Sequence, residues 1–292
     1  MYELIKIGER TYYINCPAKI GIYQLNDTDV YLIDSGNDKE AGKKVLKILS
    51  ANNWCLKAII NTHSNADHIG GNKLLKDRTD CEIYTTRLEG AFTEYPMLES
   101  SFLYGGYPNK ALRNKFLLAE SSSVHDISEL PLPEGMEIFP LKGHFFDMIG
   151  VKTPDDVYFI ADCISGENIL EKYHVAFIYD VAEYLKTLTT IETLNGRYFV
   201  PAHADASENI KSLVAFNRNK VDQIIRKILD ICKSALCFEE ILKNIFDEYE
   251  LTMDFNQYVL VGSTIRSYLS YLYDEGKIIV QFENNTLLWK TI

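Results

Sequence analysis

The sequence has few of the features that mark secreted, membrane-bound or fibrous proteins. Among its 292 residues there are eight prolines, and no apolar run approaches the roughly 20 residues that a membrane-spanning helix needs. No internal repeat or low-complexity segment is present, and the N-terminus lacks a basic stretch followed by a long apolar one. We therefore expect no membrane association, no signal peptide and a cytoplasmic location.

Cysteine pairs with metal-binding or redox spacing are also missing. The six cysteines form no C-x-x-C motif and lie mostly within apolar segments, which is typical of reduced thiols in a cytosolic protein. Cys163 follows Asp162 directly, but neighbouring residues of a strand point to opposite faces. We therefore interpret Cys163 as a buried core residue and expect no disulfides.

Basic residues are too few to favour nucleic acid as a general partner. The chain has 30 lysines and arginines against 41 aspartates and glutamates, a formal net charge of −11. Such a balance repels a phosphate backbone at long range. A hydrophobic share of 47% and a mass of 33.5 kDa suit a soluble protein of about two domains. With nucleic acid disfavoured as a partner, we expect a small-molecule substrate.

The sequence has only six histidines, and two of them lie close together in one polar segment. Residues 62–71 read Thr-His-Ser-Asn-Ala-Asp-His-Ile-Gly-Gly. They follow the apolar run Leu56–Ile60, which predicts a strand, and precede Ile69–Leu75, which predicts the start of a helix. In an extended segment residues i and i+2 share a face, so His63 and Asn65 should face one spot.

Asp67 and His68 lie where the chain turns into the predicted helix, so they can face a second, adjacent spot. Two neighbouring metal sites are therefore plausible. The alternative interpretation is that Asn65 or Asp67 caps the helix and that the histidines are ordinary polar loop residues.

Two more histidines and one aspartate favour the metal interpretation, because each follows a strand-like run. They are His144 after Met136–Leu141, Asp162 after Val157–Ile160 and His203 after Tyr198–Val200. Four of the six histidines thus belong to one candidate set, with His125 and His174 outside it.

The order and separation of these segments resemble the metallo-β-lactamase superfamily, whose motifs are His-x-His-x-Asp-His, a Gly-His, an Asp after a strand and a final His. Val30–Gly36 is similar to its structural strand and Asp-Gly turn. The resemblance covers about residues 10–205. It implies an α+β fold, a four-layer αβ/βα sandwich, over residues 1–206.

The resemblance also implies a ligand set. The first site would use His63, His144 and the position occupied here by Asn65; the second would use Asp67, His68 and His203; Asp162 would bridge them. A carboxamide is a weaker donor than imidazole, so Asn65 should be a weak or absent ligand. We expect zinc, with one tight and one weaker site, and manganese or iron as alternatives.

The activity implied is hydrolysis of an ester, thioester, lactone or phosphoester by hydroxide that the metal generates from water, with Asp67 orienting that water as a catalytic residue. Two other interpretations stay open. One is an RNA-processing endonuclease-like hydrolase. The other is a non-catalytic metal or ligand sensor that uses its C-terminal domain, and Asn65 is the main argument for it.

An insertion-like stretch at residues 88–124 is rich in aromatic side chains. It predicts either a lid that gives a substrate pocket an apolar wall, or a local core or dimer contact. The aromatic residues are Phe92, Tyr95, Phe102, Tyr104, Tyr107 and Phe116.

Residues 207–292 have a different texture, with helical patterns at 207–233, 238–246 and 259–273 and a hairpin at 277–289. Three helices and a two-stranded wing resemble a winged helix. Ten basic against twelve acidic residues would hold phosphates poorly. We therefore favour a packing or dimerising module over nucleic-acid binding, and a homodimer stays open.

Overall fold

Two β-sheets form the centre of the molecule, which a computed structural model describes for residues 2–292. The first sheet has seven strands in chain order, antiparallel up to β4 and parallel from β4 to β7. Its strands are β1 Glu3–Lys6, β2 Thr11–Asn15, β3 Ile20–Gln24, β4 Asp29–Ile33, β5 Cys55–Ile60, β6 Glu82–Thr85 and β7 His125–Asp126. The second sheet has the order β11-β10-β9-β8. Its strands are β8 Glu137–Pro140, β9 Ile149–Lys152, β10 Val157–Ser165 and β11 Tyr198–His203.

The two sheets pack face to face, and helices cover their outer faces. Between the sheets, side chains such as Tyr31 and Ile60 share one hydrophobic cluster with Phe159 and Val200. Outside the first sheet lie α1 Lys39–Ala51, α2 Ala66–Ile69 and α3 Asn72–Thr79; α4 Arg87–Glu94 and α5 Met97–Tyr104 follow β6; α6 Glu167–Tyr173 and α7 Val181–Thr193 lie between β10 and β11. The layers are those of the predicted αβ/βα sandwich.

The boundaries predicted for the helix after the histidine segment, which was expected to start at Ile69, are wrong. Helix α2 begins earlier, at Ala66, and α3 begins only at Asn72. The break lies at Gly70 and Gly71. A Cβ atom added to Gly70 would lie 2.4 Å from the Asn37 carbonyl carbon, and one added to Gly71 would lie 2.3 Å from the Ser35 carbonyl oxygen. The backbone at Gly70 and Gly71 lies in close contact with the turn after β4, and this contact interrupts the helix.

Strand β10 also runs further than predicted, since it continues past Ile160 to Ser165. Asp162 therefore lies within the strand instead of after it. The pairing with β11 shifts register on both sides of Ala161, whose φ is 46°. This irregularity turns the Asp162 side chain toward the edge of the sandwich where the candidate ligands lie. The Cys163 side chain stays fully buried in the core.

Residues beyond β11 form three helices and a hairpin: α8 Lys211–Ile231, α9 Phe238–Glu248, α10 Phe255–Asp274, β12 Ile278–Glu283 and β13 Thr286–Thr291. Their apolar side chains belong to the same hydrophobic cluster as α7 and the outer face of the second sheet; Leu188 of α7 and Leu269 of α10 are both members. The module thus packs on the sandwich. Within residues 2–292 no helix has both the length and the apolar character needed to cross a membrane. The six cysteines are free thiols.

Candidate metal centre

Four histidines meet at one edge of the sandwich, and each is held through its Nδ1 atom. The His144 Nδ1 lies 3.0 Å from the Phe177 carbonyl oxygen, and the His203 Nδ1 lies 3.0 Å from that of Pro17. A carbonyl oxygen only accepts, so both rings carry their hydrogen on Nδ1. Nε2 is then the atom that His144 and His203 each turn toward the centre, where it can bind a metal ion after losing any proton it carries.

The other two histidines are oriented through Asp34. The His68 Nδ1 donates to Asp34 Oδ2 at 2.8 Å. The Thr62 hydroxyl donates to the same carboxylate oxygen at 2.8 Å and faces His63 Nδ1 at 3.1 Å, where it acts as the acceptor. Both rings therefore keep Nε2 free. Asp34 is a residue that sequence reasoning treated only as part of a turn.

The ligand atoms fall into two groups that share one carboxylate. In each group the atoms lie within 4.8 Å of one another. One group is His63, His144 and Asp162; the other is Asp67, His68, Asp162 and His203. The structure thus brings together the six histidine and aspartate residues that the sequence predicted as ligands, and divides them as the resemblance implied.

Distances within the second group are short. The His203 Nε2 lies 3.1 Å from Asp67 Oδ2 and 3.2 Å from Asp162 Oδ2. The His68 Nε2 lies 3.1 Å from Asp162 Oδ1. In the first group, His144 Nε2 lies 3.7 Å from Asp162 Oδ2. Asp162 is therefore within reach of ligands from both groups.

Three buried polar atoms of this centre have no hydrogen-bond partner among the described residues. They are His63 Nε2, His68 Nε2 and Asp162 Oδ1. Unpaired buried polar atoms cost free energy, and converging lone pairs of nitrogen and oxygen are what a divalent cation satisfies. The residues present therefore fit a metal ion.

The charges of the centre also favour a cation. Burial alone would raise the pKa of Asp162, but His203 and His68 outweigh it and hold this pKa well below its usual range. Burial would lower the pKa of His203, yet Asp162 and Asp67 raise it to about 10. Protons on His203 stand in for the positive charge that a metal would supply, so metal binding should release protons.

Asn65 occupies the N-cap position of α2, but its side chain makes no capping hydrogen bond. The capping interpretation is therefore wrong for Asn65. Its amide Nδ2 donates to Glu99 Oε1 at 2.8 Å, and its Oδ1 lies 3.1 Å from His144 Nε2. The carboxamide oxygen thus faces the first group, at the position where the resemblance would have a third imidazole.

Sequence reasoning missed two buried carboxyl groups in the 88–124 segment. Glu89 accepts hydrogen bonds from the Ser64 backbone at 3.0 Å and from the Asp147 backbone at 2.7 Å, and it fixes the metal-centre loop from behind. Burial raises the pKa of Glu89 to about 7 and that of Glu99 well above its ordinary value. The sequence feature that could have indicated these two groups is a glutamate among the apolar residues of a predicted helix.

Two cavities are lined by both His144 and Asp162. One, of about 260 Å³, is bordered by Asp67 and Asp162 together with Lys115 and Phe116 of the 88–124 segment. The other, of about 360 Å³, is mainly apolar and shares His144, Asp162, Phe177 and Leu260 with the first. Its remaining walls include Ile169, Leu170, Tyr173, Val175, Tyr184 and Val261. Helix α10 therefore supplies part of the wall beside the candidate metal ligands.

Aromatic residues of the 88–124 segment divide between the two roles that the sequence left open. Phe92 and Phe102 pack on Phe146 with ring centroids 5.0 and 5.1 Å apart. Phe116 is 70% exposed and borders the smaller cavity. The other three are exposed: Tyr95, Tyr104 and Tyr107.

The two histidines outside the predicted set lie apart from the ligand groups. His125 pairs with Glu82 at 3.0 Å on the surface. His174 stacks on Tyr249 with centroids 4.7 Å apart, which is a packing role.

Comparison with known proteins assigns this architecture. The family model of the metallo-β-lactamase superfamily matches residues 15–203, so the chain belongs to this superfamily. A β-lactamase domain protein from Burkholderia ambifaria has a TM-score of 0.76 at 13% identity, covering 99% of this chain and 94% of that one. A metallo-β-lactamase family protein from Thermus thermophilus has a TM-score of 0.71 at 13% identity, covering 100% and 98%. The predicted superfamily and fold class are confirmed.

One curated relative carries the name of an activity. A hydroxyacylglutathione hydrolase from Methylococcus capsulatus (strain Bath) is 38% identical over 66 residues, which are 20% of this chain and 26% of that protein. The chain thus matches about a quarter of that relative's length. Superfamily membership and this match support the predicted metallo-hydrolase class.

Proposed function

We propose that the protein is a metal-dependent hydrolase whose ligands are the two groups that share Asp162. The observation that carries the proposal is the set of inward-facing Nε2 atoms around this carboxylate, two of them buried without a partner. A bound metal would lower the pKa of water and act as a Lewis acid toward a substrate carbonyl or phosphoryl oxygen. Mixed imidazole and carboxylate donors suit zinc best, with manganese or iron as alternatives.

Asp67 is the residue best placed to hold the attacking water. One of its carboxylate oxygens contacts His203, while the side chain stays 41% exposed toward the smaller cavity. Burial would raise the pKa of Asp67, but His68 and His203 outweigh it and keep this pKa low, so the carboxylate is ionised at neutral pH. An ionised acceptor at the cavity wall can orient water for attack.

The substrate we propose is a small carboxylic ester or thioester with an apolar acyl group. The larger cavity offers an apolar chamber beside His144 and Asp162, where an acyl chain is removed from water. The thioester is favoured further by the partial match to a hydroxyacylglutathione hydrolase. The chain's acidic charge argues against a polyanionic substrate such as RNA.

Filling this chamber should lower activity. In Leu260→Trp the larger ring enters both cavities, so kcat/KM for a medium-chain thioester should fall about 10- to 200-fold, the range that pocket volume commonly controls. Rates would be measured on a panel of esters, thioesters, lactones and phosphodiesters with metal-loaded protein. Tyr273→Trp, at an exposed site of the same helix, is the control. No hydrolysis anywhere in the panel, with metal still bound, would favour the sensor instead.

Metal should bind in two unequal steps. The group with Asp67, His68, Asp162 and His203 has four strong donors, whereas the group with His63, His144 and the shared Asp162 has Asn65 as its fourth donor. Titration of the apoprotein, followed by calorimetry and by metal analysis, should show one tight and one weaker ion. Asn65→His should tighten the weaker step. Two equivalent tight ions in the unchanged protein would contradict the prediction.

A further inference from the structure

Glu99 is a buried carboxyl group whose place in the fold the hydrolase chemistry does not explain. It lies in α5 and is only 6% exposed. In the part of the chain that the structure describes, its side chain forms no ion pair, and its one hydrogen bond is the contact from Asn65 Nδ2 at 2.8 Å. Burying a carboxyl group without a cation is costly, so this single contact calls for a physical reason.

The contact decides which end of the Asn65 amide faces the first ligand group. The oxygen and the NH₂ of a carboxamide have nearly the same shape, so packing alone cannot choose between the two orientations. In the structure Asn65 Nδ2 donates to Glu99 Oε1 at 2.8 Å, so the NH₂ faces Glu99. The oxygen then lies 3.1 Å from His144 Nε2.

The opposite side of the amide requires this orientation. Since the His144 Nδ1 hydrogen is used by the Phe177 carbonyl, Nε2 presents a lone pair. Asn65 Oδ1 and His144 Nε2 are then two electron-pair donors side by side, and a cation placed between them satisfies both. In the reversed amide, the NH₂ hydrogens would face that cation and repel it.

We propose that Glu99 is a positioning residue for the weaker metal site: it orients the Asn65 carboxamide so that its oxygen is available, with His63 and His144, to a metal ion. This inference rests on the proposed metal centre and adds a residue to it that contacts no metal ligand other than Asn65.

Removing the acceptor tests the proposal. Glu99→Met keeps most of the volume but leaves the amide free to turn, so the weaker step of metal binding should lose about 10- to 100-fold in affinity, the usual effect of losing an outer partner of a ligand. The tight step should be unchanged. Zinc affinities would come from chelator competition, and cobalt(II) absorption would report the geometry of the weaker site. Glu99→Gln, which keeps an acceptor oxygen, should lie closer to the unchanged protein.

A double-mutant cycle separates positioning from a general structural role. If Glu99 acts through Asn65, then Glu99→Met should have no further effect on the weaker step once Asn65→Ala is present. Additive losses in the double variant would overturn the proposal. Glu94→Met makes the same chemical change in the same segment and should leave both steps unchanged. Among residues 2–292, the one side-chain hydrogen bond of Glu94 comes from the Val124 NH at 3.3 Å.

The outcomes also distinguish this inference from the proposed function. An unchanged protein that binds no metal would refute the metal centre itself. Two unequal steps that Glu99→Met does not alter would refute only the role of Glu99. An equal loss in Glu94→Met would show that the effect is not specific to the Asn65 contact, and would also overturn the inference.

Discussion

Asp162→Asn is expected to remove metal from both ligand groups and to abolish hydrolysis. Asp162 is the one residue common to the two groups, and its oxygens lie 3.1 Å from His68 Nε2 and 3.2 Å from His203 Nε2. An asparagine at this position loses the negative charge and one of the two acceptor oxygens. Loss of an outer partner of a ligand already costs about 10- to 100-fold, so loss of a shared ligand should exceed about 100-fold in both metal affinity and kcat/KM.

The matched control is Asp156→Asn. Asp156 precedes β10 by one residue, is exposed, and pairs with Lys152 at 3.5 Å, and asparagine tolerates its positive φ of 56°. Metal content, affinity and activity should stay as in the unchanged protein. A variant Asp162→Asn that holds two ions with ordinary affinity and turns over substrate would contradict the proposed centre. Thermal unfolding of both apoproteins would show whether a loss reflects unfolding instead.

The ligand set was predictable because each of its members lies in a short sequence motif close to a predicted strand. His63, Asp67 and His68 belong to one short segment between β5 and α3, and His144 follows a strand. Parallel and neighbouring strands bring such ends to the same edge, so chain order and strand alternation are enough to group the side chains. The superfamily motif then indicated which residues share an ion.

The partners that orient these ligands were not predictable in the same way. Asn65 meets Glu99 across 34 residues, and His203 donates to Pro17 across 186. No periodicity or spacing in the sequence relates such pairs, because the contacts depend on how α5 and the N-terminal strands pack. The resemblance identified Asn65 as a departure, and only the packed structure shows what contacts it.

The predicted ends of helices and strands were wrong where tertiary packing overrides the hydrophobic pattern of the sequence. The apolar spacing after His68 reads as one helix, but the close approach of Gly70 and Gly71 to the turn after β4 divides it. In β10 the predicted end at Ile160 reflects the end of the apolar run, whereas strand pairing continues through an irregular register to Ser165. In both places the backbone follows long-range contacts that composition does not encode.

The C-terminal module should be required for the sandwich to stay folded, so deletion of residues 207–292 is expected to give aggregated protein. Leu188 of α7 and Ile164 of β10 share one hydrophobic cluster with Leu269 of α10, and all three are fully buried. Deletion would expose this apolar face, and large exposed apolar faces drive association. Light scattering and the yield of soluble protein would measure the effect.

Hydrogen bonds between the sandwich and the C-terminal module add to the expected loss of stability. Asn217 of α8 accepts from the Ser165 backbone NH at 2.9 Å and donates to the Ser165 carbonyl at 2.9 Å, which fixes β10 three residues beyond Asp162. The Ile178 NH donates to the Thr264 hydroxyl at 3.2 Å. Deletion would remove these hydrogen bonds, each worth about 0.5–1.5 kcal/mol net, from the segments beside the metal centre. Metal binding should therefore be lost together with the fold.

A milder variant keeps the prediction testable if the shortened chain cannot be purified. Leu269→Ala removes a fully buried side chain from the shared cluster and should lower the free energy of unfolding by about 2–5 kcal/mol. Because the cluster spans both parts of the chain, the full-length protein should still unfold in one transition, at a lower temperature. Phe282→Ala, at a hairpin residue 76% exposed, should change stability by less than about 0.5 kcal/mol. A monomeric, cooperatively folded chain of residues 1–206 that binds metal normally would show that the sandwich does not need the module.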